Sequence, residues 1–193
     1  MQFTNDPRRD LQRTFRKARQ RQSRAGSLLA LLRSDLEQLC GQETAVAGPV
    51  RTPLLAALAT CVGIELLAKY WAGRPDLLAS TVADFLTTVG GLKHGEADTL
   101  LQFRNAIAHS YALGTRRRRD NRPFSFAVDT GHDSSSPVVT PQGANGYVIN
   151  FWSLKGLFQR LIHQCKRAIE QDEQRLMEFQ VCIRNLGEIA IAS

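Results

Sequence analysis

Apolar residues return at alternating intervals of four and three along the first part of the chain. Leu11, Phe15, Ala18, Ala25, Leu29, Leu32, Leu36 and Leu39 trace a heptad-like seam, interrupted only by polar Gln22. Asp6-Pro7 supplies a cap and a proline suited to the first turn, and Gly41 supplies a stop, so the pattern predicts one long helix filling residues 1–41. After the Gly48-Pro49 loop, Thr52-Pro53 opens a second helix to about Trp71. It is apolar on nearly every side, which marks it as central and buried, with Glu65 the exception.

Arg74-Pro75-Asp76 precedes a third helix, Leu77 to about Val89, which Gly90-Gly91 ends. A fourth runs from near Glu96 to about Gly114 and carries Leu100, Leu101, Phe103 and Ile107. The period then changes from helical to alternating. Phe124, Phe126 and Val128, then Tyr147, Ile149 and Phe151, read as two short strands of a β-hairpin inserted over residues 122–152. The Ser-, Pro- and Gly-rich segment from Gly131 to Gly146 joins them as a long exposed loop, with a short strand at Val138-Val139. Ser153 caps a last long helix to about Leu186, the final segment being 153–187. The fold class is therefore mainly α: a helical bundle in one domain, 1–193, with core helices over 52–114, a long basic N-terminal helix and a small hairpin insertion.

Charge adds a partner class. The formal net charge is +7 and the pI near 9.7, which favours polyanions. Arg8, Arg9, Arg13, Arg16, Lys17, Arg19, Arg21 and Arg24 crowd the N-terminal segment against Asp10 alone, and Arg116, Arg117, Arg118, Arg119 and Arg122 form a second cluster. No stretch approaches the roughly 20 apolar residues of a membrane span. The longest candidate, Pro53 to Leu67, is interrupted by Glu65 and Lys69 on its C-terminal side. Met1 to Arg24 has no apolar run after its charges, so no signal peptide and a cytoplasmic, membrane-free setting are expected. Cys40, Cys61, Cys165 and Cys182 are widely spaced among apolar residues and form no CxxC pair, so reduced, buried thiols are expected and no metal site or cofactor is.

The chemistry concentrates in Arg104-Asn105-Ala106-Ile107-Ala108-His109-Ser110-Tyr111. At about 100° per residue, Asn105 and His109 share a helix face, whereas Arg104 and His109 stand about 140° apart. Two arrangements reunite them: the Arg104 side chain curls across, or two copies of the helix face each other in a homodimer. Such a cleft suits metal-independent RNA cleavage. That reaction needs a base for the 2′-hydroxyl, an acid for the 5′-oxygen and a cation against the charge on phosphorus, roles open to histidine and arginine.

Arg104 to His109 resembles the Arg-x4–6-His motif of the HEPN superfamily, and with Ser110-Tyr111 it matches the Arg-x4-His-x-Tyr form. That form is typical of HEPN toxins paired with nucleotidyltransferase antitoxins. The preceding helix, with Gly63-Ile64-Glu65-Leu66-Leu67-Ala68-Lys69-Tyr70, looks HEPN-like too. The resemblance implies a dimerising HEPN-like bundle and a ribonuclease of toxin or defence type, with Arg104 and His109 catalytic and Asn105 beside them. Glu65 would hold Arg104 in position, and Tyr111 would be the residue that an antitoxin adenylylates. The five arginines from Arg116 to Arg122 would contact RNA. The long basic first helix and the insertion depart from compact toxins. A non-catalytic HEPN-like module that binds a nucleotide or a protein stays open beside the enzyme, as does a purely structural role for the motif.

Overall fold

The structure is a computed structural model and describes residues 4–16, 27–40, 50, 52–110, 113–131 and 135–186. These residues form seven helices and a four-stranded sheet. Helices α1 (Pro7–Phe15), α2 (Leu28–Cys40), α3 (Pro53–Ala72), α4 (Ala79–Thr88) and α5 (His94–Ser110) come first. Strands β1 (Gly114–Arg116), β2 (Pro123–Asp129), β3 (Val139–Gln142) and β4 (Gly146–Asn150) follow, then α6 (Phe151–Glu170) and α7 (Glu173–Leu186).

The single long N-terminal helix does not form. Asp6 caps α1 through the amides of Arg8 and Arg9, but the helix stops at Phe15 with Arg16 in extended geometry. Ser27 then accepts from the Ala30 amide as the cap of α2, while its hydroxyl donates to the Thr14 carbonyl at 2.7 Å. In a straight helix those two residues would lie about 20 Å apart, so α1 and α2 are not parts of one straight helix. Leu11, Phe15, Leu29 and Leu36 are still buried, but on two helices that pack together. Ala18, Gln22 and Ala25 lie outside the described residues. Asp10, the lone acid of the basic segment, is wholly buried, where it accepts from the Thr4 amide and hydroxyl and from Gln180 of α7.

Helix α3 is the axis of the bundle and packs against α2, α4, α5, α6 and α7. By length and composition alone it could cross a membrane, contrary to the expectation that no stretch would reach that test; in the fold, more than half of that window is buried inside the protein. Gly63 marks its closest approach to neighbours. A Cβ there would lie 2.6 Å from the Phe158 ring of α6 and 2.8 Å from Leu32 of α2. The last helix also departs from the sequence pattern. It breaks after Glu170, because Asp172 caps α7 through the Arg175 amide, and α6 is capped by Asn150 rather than Ser153. Across the break, Arg175 donates to the Trp71 carbonyl and lies over the Trp71 ring.

The insertion is more than a hairpin. Sheet order is β1-β2-β4-β3; β1 pairs antiparallel with β2, and β3 with β4, whereas β2 and β4 run parallel from Ser125↔Gly146 to Asp129↔Asn150. The two strands read from alternation form, though the second ends at Asn150 with Phe151 already in α6, and each turns back on a different partner. Pro141 sits in β3, an edge strand, where a missing N–H is tolerated. Phe124 and Phe126 point inward, and Phe126 meets Phe103 of α5 at 5.4 Å, fastening the sheet to the motif helix.

Gly63→Ala forces the Phe158 ring and Leu32 to retreat inside a packed core. We expect it to lower unfolding free energy by about 1–3 kcal/mol, read from the urea midpoint. An unchanged midpoint would mean that the α2–α3–α6 contact is looser than described.

Candidate functional site

Burial of α3 leaves one carboxylate on that helix, and α5 brings one guanidinium to it. Arg104 Nη2 donates to Glu65 Oε2 at 2.9 Å, and Arg104 Nε stands 2.6 Å from Oε1, without a hydrogen-bonding angle. Nη1 donates to Asn105 Oδ1 at 3.2 Å. The Arg104 and Glu65 side chains are 27% and 22% exposed, so water screens the pair only partly. The positioning expected of Glu65 is thus present as a contact, with Asn105 joined to it. Beside the pair opens a small apolar recess with about 20 Å³ of enclosed space, lined by Cys61, Ile64, Leu86, Leu101 and Leu154.

His109 is exposed in the last turn of α5 and makes no hydrogen bond or ion pair with any described residue. It follows Arg104 by about 7.5 Å along the axis and about 140° around it. Of the two ways of uniting these groups, curling Arg104 across would first break its contacts to Glu65. The route left without that cost is a second copy. Tyr111 lies outside the described residues.

The arginine cluster divides. Arg116, Arg118, Arg119 and Arg122 are exposed. Arg117 is not free: it pairs with Asp98 of α5 at 2.6 Å and with Asp120, and its side chain is largely buried. The Arg117 guanidinium holds the Asp120 carboxyl at about 2, below the usual carboxylate range. Asp120 also accepts from the Arg122 amide, and Asn121 takes a left-handed φ of 55°. This loop is therefore tied by its own residues, with Arg122 above the Phe124 ring and donating to the Tyr147 hydroxyl at 3.2 Å. Asp98 and Asp120 escaped the sequence reading. Asp120 adjoins the arginine run and was visible there, but nothing in the sequence pairs position 98 with 117.

All four cysteines are buried and free, as expected. Burial pushes the Cys61 thiol up to about 12, with Glu65 adding to the rise, so a thiol that lines the recess is a poor nucleophile. Among the described residues no three His, Cys, Asp or Glu side chains come together as a metal site.

No protein family, curated protein or solved structure matches this chain. The HEPN resemblance therefore rests on the motif residues themselves.

A double-mutant cycle isolates the central contact. Glu65→Gln, Arg104→Gln and the double variant are expected to give a coupling of about 1–2 kcal/mol in urea unfolding, between the values of exposed and fully buried pairs. Coupling near zero would show that the two side chains are neighbours without holding each other.

Proposed function

We propose that the protein is a metal-independent endoribonuclease of toxin or defence type, acting at a site composed from two copies of α5. One observation carries this reading: Arg104 is fixed by Glu65 and joined to Asn105, while His109 on the same helix is exposed and bonds to no described residue. In this reading His109 takes the proton of an RNA 2′-hydroxyl, and that oxygen attacks phosphorus. The partner's His109 protonates the departing 5′-oxygen, leaving a 2′,3′-cyclic phosphate and a 5′-hydroxyl. Arg104 opposes the charge that builds on the phosphate oxygens. Arg116, Arg118, Arg119 and Arg122 would draw the RNA backbone toward the end of the helix, with salt-sensitive affinity. A nucleotidyltransferase-type antitoxin that modifies Tyr111 belongs to the same proposal, as does a cytoplasmic setting.

A second reading has its own support. The Glu65 carboxylate already offsets the charge of Arg104, which suits a HEPN-like module that binds a nucleotide or a protein without cutting RNA.

The two separate in one assay. Purified protein with mixed RNA in EDTA should yield cyclic-phosphate ends, and His109→Ala should slow this by about 10²–10⁴-fold with the helical circular dichroism signal unchanged. Arg104→Ala should cost about 10²–10³-fold. Cleavage that survives both substitutions, or no cleavage by the parent protein, removes the enzyme reading.

A further inference from the structure

A second recess lies between α2 and α6 and shares no residue with the Arg104 site. Two pairs of side chains, each four apart on its helix, face one another across it: Arg33 and Glu37 from α2, Lys155 and Gln159 from α6. Leu36, Phe158 and Ile162 form its apolar wall, and its enclosed part amounts to about 40 Å³. That is room for a few water-sized groups, the scale of one small oxyanion.

Its charge is unbalanced. Lys155 is only 8% exposed, and its ammonium lies 5.1 Å from the centre of the Trp152 ring. Among the described residues it has no hydrogen-bond acceptor and no carboxylate partner, and Arg33 has none either. Glu37 and Gln159 both have partners. Burial takes up the Lys155 stem, while its ammonium lies against a ring face with no anion to pair with among the described residues. Lys155 also stands near the N-terminal end of the twenty-residue α6, where helix dipoles favour negative charge and oppose a cation. Two cations therefore line one recess against the single carboxylate of Glu37.

We infer that this recess binds a small oxyanion, a phosphate or carboxylate group held between Lys155 and Arg33, with any apolar body of the ligand against Leu36, Phe158 and Ile162. The ligand then supplies the anion that Lys155 and Arg33 lack among the described residues. The inference does not depend on the ribonuclease reading, since it uses neither α5 nor RNA.

Thermal unfolding of the full chain tests it with inorganic phosphate, acetate and chloride at equal ionic strength, beside calorimetric titration of phosphate. For a dissociation constant on the order of 1 mM, about 20 mM phosphate should raise the midpoint by about 4 °C over chloride. A larger rise with acetate would assign the site to carboxylates instead of phosphates. Phosphate also stabilises proteins by exclusion from their surfaces, so the decisive arm is Lys155→Met, which keeps the stem and removes the charge. This variant should be at least as stable as the parent in chloride and should lose the specific response. Arg33→Gln, at a half-buried position, should fold normally and weaken phosphate about tenfold; it carries the test if Lys155→Met does not fold. Equal midpoint shifts in the parent and the charge-removed variants, or no heat of binding with either anion, would overturn the inference.

Discussion

Helix α3 must be buried on nearly every side, and the other helices are arranged to meet that demand. Nine of its side chains and its mid-helix Gly63 are buried, and α2, α4, α5, α6 and α7 all pack on it. At Gly63 the packing is so close that even a methyl group would collide with two neighbours. A carboxylate in such a helix is costly unless it meets a cation, and Glu65 meets Arg104. The central constraint of the fold thereby fixes the orientation of α5, and with it the direction in which the motif faces.

That coupling explains the division of roles along α5. Arg104 looks toward the bundle, where Glu65 holds it and Asn105 accepts from it, and the last turn of the helix lies at the surface with His109 exposed. The sheet secures the same helix from its other side, through Phe126 on Phe103 and through the Arg117 pair with Asp98. Arg117 belongs to the scaffold for this reason, and the arginines left for a polyanion are its neighbours. The cluster in the sequence is one run of charge; in the fold it is a tied loop that displays part of that charge.

Legibility in the sequence followed the range of the interactions. The α3 helix and the motif helix were readable because periodicity is local, and Glu65 was conspicuous as a lone charge in an apolar stretch. The end of α1 at Phe15 was hidden, because the heptad seam continues past it in spacing even though Ser27 returns to Thr14. At the α6–α7 break the signal was present, in Asp172 as a cap, but the apolar spacing from Ile169 to Leu176 outweighed it. Alternation identified β2 and β4 and could not say which strand lay beside which. Their parallel pairing follows from β3 folding back onto β4, a contact set by the whole sheet. Lys155 was invisible as a feature, since one lysine on an amphipathic helix looks solvated until its burial is known.

On the proposed reading, Arg104 and His109, about 140° apart on one helix, become a single site only when a second copy faces the first. The most direct measurement is specific RNA-cleaving activity in EDTA across a protein dilution series, paired with sedimentation at each concentration. The account predicts activity per chain that falls as dimers dissociate and is lost in the monomer range. Activity per chain that stays constant down to fully monomeric protein would contradict it.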